Sequence, residues 1–391
     1  MKKIKVVFAG IISSLLILSI LAISLSQSFA LVAAPITEEA LSKNAKAATL
    51  IDFDTGTVVF EKNVNDKYPI ASMVKIMTLL LIMENIEAGV LSPNTEIPIS
   101  ENASSMGGSQ AFLDANTTYK AGELIKSIVV ASANDSCVAM AEHIAGTVDG
   151  FVLRMNDKAK ALGMENSNFV NCTGLPAPNG YSTAKDVSIM MRALLRHQLF
   201  FDYASVWTFD FAHNSGRTTT LTNTNKLINA YKGCDGGKTG FTQEARYCLA
   251  ATAKRGNTRL IAVVIGENDS KVRNFEISNL LNHGFGNYET RQFVFKDIPL
   301  QEFVVQRARN PILAIAPKDD YFYFSQKTIK PKIDHNITIN KDKAPILKGE
   351  IVGTLTLSKD GKHLKQIDMV ATINIDEVQF VDILQQIAEK W

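Results

Sequence analysis

A hydroxyl and an amine open the chemistry of this chain. Ser72-Met73-Val74-Lys75 sets a serine and a lysine three residues apart. On a helix that spacing puts both side chains on one face, within reach of each other. Such a pair suits acyl transfer, the serine attacking a carbonyl while the lysine takes its proton. Lysine serves as a base only while neutral, a state that burial and neighbouring positive charge favour. The start of a helix adds free backbone N–H groups, which stabilise negative charge developing on an attacked carbonyl oxygen.

The motif alone is weak, because Ser182 and Lys185 repeat it. There Thr183, followed three residues later by Asp186, reads as a helix cap, so that pair is expected to cap and solvate a helix. Ser-x-Asn occurs at Ser42, Ser100 and Ser132, and Lys-Thr-Gly once, at Lys238-Thr239-Gly240. The ordered set carries more weight. Ser132-Ala133-Asn134 begins 60 residues after Ser72, in a turn between two helical patterns, and Lys238 lies 106 residues further on. Gly107-Gly108-Ser109-Gln110-Ala111 comes near a nucleophile elbow, but no strand pattern leads into it, and it is rejected.

With these residues in place, the chain resembles the serine D-Ala-D-Ala carboxypeptidases, the low-molecular-mass penicillin-binding proteins. The Ser-x-x-Lys, Ser-x-Asn and Lys-Thr-Gly trio belongs to that group and to class A β-lactamases. The likeness spans about residues 45 to 375. It takes in Tyr68-Pro69-Ile70-Ala71 before the serine, Ser132-Ala133-Asn134-Asp135, Phe151 with Met155-Asn156, and Leu162-Gly163-Met164. Tyr181-Ser182-Thr183-Ala184 with Asp186 and the run Asp235 to Thr242 complete it. The resemblance implies that Ser72 becomes acylated, Lys75 takes its proton, and Ser132 relays a proton to the leaving amine. It implies that Asn134, Lys238, Thr239 and Gly240 line the substrate, with backbone N–H groups of Ser72 and Phe241 forming an oxyanion hole. Counting in register, Arg273 matches the arginine that helps hold the terminal carboxylate. Two departures stand out. Phe241 takes a place where some relatives have histidine, so only its backbone is carried over. Arg246 takes a place where relatives often have glycine, and is expected to point outward.

The elements that must position these groups are legible in outline. Leu50 to Phe53 and Val58 to Phe60 are apolar runs about Asp54-Thr55-Gly56, a strand–turn–strand signal. Pro69 precedes a helix expected to begin near Ser72, whose Ile76, Leu79, Leu80 and Met83 form a buried stripe ended by Gly89. Leu124 to Ala131, Asn134 to Ile144 and Phe151 to Leu162 read as further helices. Tyr247 to Thr252 and Leu260 to Ile265 read as strands. The expected fold is α+β: a β-lactamase/transpeptidase-like domain, with an antiparallel sheet and a helical cluster, followed by a small C-terminal all-β domain. The latter rests on short strand patterns at Phe303 to Val305, Ile312 to Ile315, Tyr321 to Phe324, Ile337 to Ile339, Ile351 to Leu357 and Met369 to Ile373. The expected divisions are residues 1–30, 31–289, 290–375 and 376–391.

Composition sets the outer bounds. Residues 1–30 carry Lys2, Lys3 and Lys5, an apolar run and Ser28-Phe29-Ala30, the pattern of a cleaved signal peptide, with a membrane anchor as the alternative. Its loss would remove three lysines and no acids, taking the formal net charge from +2 to −1. Neither charge nor export favours a nucleic-acid partner. The four cysteines include no Cys-x-x-Cys pair and the six histidines no metal-ligand spacing, so neither metal nor organic cofactor is expected and cysteine pairing stays open. Val378, Val381, Leu384, Ile387, Ala388 and Trp391 share one helical face, suited either to a membrane surface or to docking on its own domain. The expected partners are peptidoglycan stem peptides, with β-lactams as inhibitors and the tail as a peripheral membrane contact. A β-lactamase, a D,D-endopeptidase and a penicillin-binding sensor without activity are the alternatives. Glu165 and Asn168 superficially suit a lactamase, but their register differs, and no motif residue is lost as a sensor would predict.

Overall fold

A computed structural model describes residues 41–382 and residue 384. The expected signal peptide, residues 1–30, and the tail beyond residue 384 lie outside the described residues. The first hairpin pairs β1 (Ala47–Asp52) with β2 (Val58–Lys62). A short 3-10 turn, Ala71–Val74, then leads into helix α1 (Lys75–Glu87). Ser72 therefore lies in the turn feeding the helix rather than in the helix itself.

Residues 75 to 83 of α1 are buried without a break. A helix apolar on all sides belongs inside a domain, and each Leu, Ile or Met it buries contributes about 1.5–3 kcal/mol. Around it pack α2 (Ala121–Ala131), α3 (Asn134–Ala145), α4 (Val148–Ala161) and α5 (Ala184–Leu194). The Thr183 hydroxyl caps α5 by accepting the Asp186 N–H at 3.1 Å. The Asp186 carboxylate instead accepts from Asn166 N–H and the Ser167 hydroxyl, so the capping box is half formed.

Three long strands follow: β3 (Cys234–Thr242), β4 (Arg246–Arg255) and β5 (Thr258–Glu267). With the first hairpin they make one antiparallel sheet in the order β2-β1-β5-β4-β3. The three inner strands, β1, β5 and β4, are buried on both faces over most of their length. Ile261, Val263 and Ile265 of β5 face the helical core, while Leu260, Ala262 and Val264 face the other side. That other side is covered by α6 (Ser270–Asn287), through Ile277, Leu280 and Leu281. Strands covered on both faces read as continuous apolar runs, which is why β5 could be recognised without alternation.

The C-terminal region is all-β. Strand β6 (Tyr288–Val294) pairs with β9 (Tyr321–Gln326). The others, β7 (Gln301–Val304), β8 (Ile312–Pro317), β10 (Asp334–Ile339), β11 (Ile351–Lys359) and β12 (Lys362–Ala371), form a second antiparallel sheet ordered β7-β8-β12-β11-β10. Its core holds Leu313, Ile315, Val352, Leu355, Ile367 and Met369.

All four cysteines are free and buried. Burial pushes the Cys137 and Cys248 thiols up to about 12, Cys234 to about 11, and Cys172 upward as well. Thiols held neutral in this way behave as small packing groups.

Candidate active site

The site forms where the edge strand β3 meets the turn that feeds α1. Gly240 makes this contact possible: a methyl group there would lie 2.6 Å from the Ile70 carbonyl oxygen and 3.2 Å from the backbone nitrogens of Ser72 and Met73. On the opposite side Gly174, with φ +79°, packs so tightly that a side chain would overlap the Ala71 carbonyl. Ser72 is thus held between two backbones that approach as closely as glycine allows.

Lys75, on the first turn of α1, is fully buried, with its amine 3.0 Å from Ser72 Oγ. It also donates to Asn134 Oδ1 and to the Thr173 carbonyl oxygen, each at 2.6 Å. Burial lowers its pKa from the usual lysine range, against the pull of Cys137, Cys172 and Asp135. A neutral amine has two N–H groups and one lone pair. Those N–H groups fit Asn134 and Thr173, leaving the lone pair for the Ser72 hydroxyl, so the deprotonated state stays fully bonded.

Asn134 opens α3 and is itself fixed. Its Nδ2 donates to Gly107 O at 2.7 Å and its backbone N–H to Ser109 O at 2.7 Å. The neighbouring Asp135 carboxylate accepts from the Ala111, Leu113 and Ser136 N–H groups, binding the 107–113 loop to the helix start. Ser132, two residues earlier, sits in the left-handed region with φ +67°. Its Oγ is buried without a hydrogen-bond partner among the described residues. The left-handed backbone and the unpartnered buried hydroxyl make Ser132 a candidate functional position.

Lys238 is buried on β3, its amine 3.1 Å from the Thr239 carbonyl oxygen. Burial first, then the charges of Lys75 and Arg273, hold its pKa well below the usual lysine range. Lys75 and Arg273 are thus near enough for their charges to act on Lys238. The Thr239 hydroxyl bonds Thr224 Oγ1 at 2.8 Å. Arg273, on the first turn of α6, is buried and gives its hydrogen bonds to Asn274 Oδ1, its own helix neighbour, at 3.0 and 2.9 Å. Phe241 is exposed and packs on Tyr247 with centroids 4.3 Å apart and the rings tilted by 33°. Arg246, in the hairpin between β3 and β4, is exposed with φ +60°. Glu165 is exposed, while Asn168 Nδ2 donates to Asn179 O.

Sequence reasoning overlooked the 171–174 loop. Asn171 Oδ1 accepts from the Thr173 and Gly174 N–H groups at 3.1 and 2.6 Å, bending the chain so that the Thr173 carbonyl faces Lys75. The Asn-x-Thr-Gly cluster was readable as a turn, but nothing in a residue type announces a carbonyl acceptor.

A serine and a buried lysine at a helix start, set against a strand carrying a second buried lysine, define an acyl-transferring serine enzyme of the penicillin-binding kind. Comparisons with known proteins agree. Residues 34–269 match the D-alanyl-D-alanine carboxypeptidase family, and residues 288–377 match the C-terminal domain of penicillin-binding protein 5. The chain is 39% identical over 360 residues to the D-alanyl-D-alanine carboxypeptidase DacF of Bacillus subtilis, covering 90% of this chain and 91% of that one. It is 32% identical to DacC of Escherichia coli over 89% and 88% of the two chains. Penicillin-binding protein 5 from Haemophilus influenzae superposes with a TM-score of 0.66 at 29% identity, covering 85% of this chain and 98% of the other. A Streptomyces DD-transpeptidase superposes at 0.59 with 25% identity, covering 62% and 98%. The chain belongs to the D-alanyl-D-alanine carboxypeptidase family, a family of serine peptidases.

Proposed function

We propose that this enzyme removes the terminal D-alanine from peptidoglycan stem peptides through an acyl-enzyme on Ser72. The Ser72 hydroxyl attacks the carbonyl of the penultimate D-alanine while its proton passes to Lys75 Nζ. Backbone N–H groups of Ser72 and Phe241 receive the oxyanion. The intermediate collapses as the C–N bond breaks, and Ser132 relays the proton from Lys75 to the departing amine. Water then attacks the ester as its proton passes to Lys75, the C–O bond to Ser72 breaks, and Lys75 returns the proton to Ser72 Oγ. Lys238, the Thr239 hydroxyl and Arg273 receive the carboxylate of the leaving D-alanine, with Gly240 and Asn134 bordering the bound chain. A β-lactam would enter the same route and stop at the ester.

The bonding of Lys75 carries this reading, because it lets a buried amine lose its proton without losing a partner. The unpartnered Ser132 hydroxyl supports the relay, and two buried cationic side chains near each other, Lys238 and Arg273, support an anionic substrate terminus. For the rest of the chain we propose export by a signal peptide at residues 1–30, action outside the cytoplasm, a peptidase domain over 31–289 and a β domain over 290–375. Residues 376–391 would form an amphipathic tail at the membrane surface.

The test uses labelled penicillin together with a peptide ending in D-Ala-D-Ala. The purified protein should be labelled and should release D-alanine, and Ser72→Ala should do neither. Normal labelling of the alanine variant would remove Ser72 as nucleophile. Fast penicillin turnover without D-alanine release would make the enzyme a β-lactamase.

A further inference from the structure

Beyond the site, two buried carboxyl groups meet where β5 turns into α6. Glu267 ends β5 and Glu276 lies on α6, and both side chains are inside the protein. Glu276 is well supplied with donors. Its Oε2 accepts from the Ser42 hydroxyl at 2.8 Å and the Ala45 N–H at 3.3 Å, and its Oε1 from the Asn44 N–H at 2.8 Å and Asn44 Nδ2 at 3.0 Å. Glu267 differs. Neither of its oxygens has a hydrogen-bond partner among the described residues. The β1–β5 pairing of Ala47 with Ile265 carries Glu267 towards Ala45, whose N–H donates to Glu276 Oε2, so the two carboxyl groups are neighbours.

Two carboxylates have no proton with which to bond each other. The donors around Glu276 mark it as the anion, so Glu267 is the acid that donates. Burial, reinforced by the adjoining Glu276, raises Glu267 to about 8, while hydrogen bonds hold Glu276 low. The surrounding charges do not replace that proton. Lys62 of β2 draws Glu267 down somewhat, but its amine is engaged by the Ser42 and Lys43 carbonyl oxygens. Lys46 lays its stem on Gly266, Tyr247 and Cys248 of β4 lie alongside, and Asp269 is occupied capping α6.

The pair closes a short mechanical loop. Between its members run the Asp269 cap and the first turn of α6, which bears Arg273 one turn from Glu276. The Arg273 guanidinium bonds within its own helix, so its position over the site follows that of the helix start. We propose that Glu267 and Glu276 form a one-proton latch that positions Arg273 for the substrate's C-terminal carboxylate, and that recognition of this carboxylate weakens when the latch loses its proton. This inference rests on Arg273 being a carboxylate-binding residue.

The experiment compares kcat/KM for a peptide ending in D-Ala-D-Ala with that for the same peptide ending in the D-alanine amide, between pH 6 and 10. Titration of Lys75 acts on both peptides and cancels in the ratio. Wild type should prefer the acid at pH 7 and lose about tenfold of that preference above pH 8, the scale of one charged hydrogen bond. Glu267→Gln, whose amide donates to Glu276 at every pH, should keep the preference to a higher pH than wild type, losing it only as Lys238 deprotonates. Arg273→Ala should lack it throughout. An alkaline loss identical in wild type and Glu267→Gln overturns the latch while leaving the role of Arg273 intact. A preference that survives Arg273→Ala overturns the role of Arg273, and the latch with it. Should Glu267→Gln fail to fold, carboxyl infrared titration of the wild-type protein decides, since a buried acid band persisting above pH 6 supports the latch and its absence overturns it.

Discussion

Lys75 Nζ stands 3.0 Å from Ser72 Oγ and 2.6 Å from the Thr173 carbonyl oxygen, joining the turn before α1 to a loop almost a hundred residues away. The loop contributes no side chain to this contact. Its carbonyl holds one N–H of the amine, and Asn134 Oδ1 holds the second. The third position on nitrogen is thereby aimed at the serine.

This geometry predicts the fate of Lys75→Arg. A guanidinium keeps the charge but does not give up a proton in the accessible pH range. Acylation by labelled penicillin should fall by about 10²- to 10⁴-fold, the usual worth of a general base. In the wild type, acylation should rise with pH as Lys75 deprotonates and level off above its pKa. Because burial lowers that pKa, the midpoint should lie below the ordinary lysine value of 10.5. A stopped-flow pH profile measures both, and a midpoint at or above 10.5 would contradict a buried base.

Gly240 supplies a second test. Its substitution by alanine must displace either β3 or the Ser72 turn, since the new methyl would stand 2.6 Å from Ile70 O. Stability should fall by about 1–3 kcal/mol, as in overpacked cores. Activity should suffer more, because a shift near 1 Å between reacting groups costs about 10²-fold. Gly286→Ala on α6 is the control: nothing lies within 4 Å of its added methyl, and it should stabilise by about 0.5–1 kcal/mol. Thermal melts and D-alanine release on both variants separate site damage from general effects of glycine replacement.

The contrast between Ser72 and Thr173 explains how far the sequence could be read. Ser72, Lys75, Asn134 and Lys238 could be named as candidates because their side-chain types suit acyl transfer and stand in recognisable order. The Thr173 carbonyl escaped because every residue has one. Asp135 was read as part of a motif but its role was not, because a first-turn acid is ordinary on a helix and its bonds to the Ala111 and Leu113 N–H groups depend on tertiary structure. Glu267 and Glu276 are nine residues apart in sequence, and their contact arises from the turn between β5 and α6. In the fold, β5 was legible from its apolar run. Its pairing with β1, which matches Ala47 with Ile265, was not, since no local pattern encodes a partner over two hundred residues distant.

Arg246 closes the hairpin between β3 and β4 opposite Thr242, with its backbone in the left-handed region at φ +60°. That conformation costs a residue with a side chain about 1–2 kcal/mol, a cost absent for glycine. Arg246→Gly would loosen the unfolded chain by about 0.5–1 kcal/mol, offsetting part of the gain. The variant should therefore melt about 1–3 °C higher, the range expected for a net gain below 1 kcal/mol. Arg246 is exposed and directly precedes Tyr247, whose ring packs at a tilt on that of Phe241. An outward-pointing side chain there should leave kcat/KM for the D-Ala-D-Ala peptide within about twofold, well below the effect of losing one hydrogen bond to a charged group. A calorimetric melt and a steady-state assay decide together. A lower melting temperature would mean that the arginine holds the hairpin, and a large loss of kcat/KM with unchanged melting would mean that it reaches the substrate.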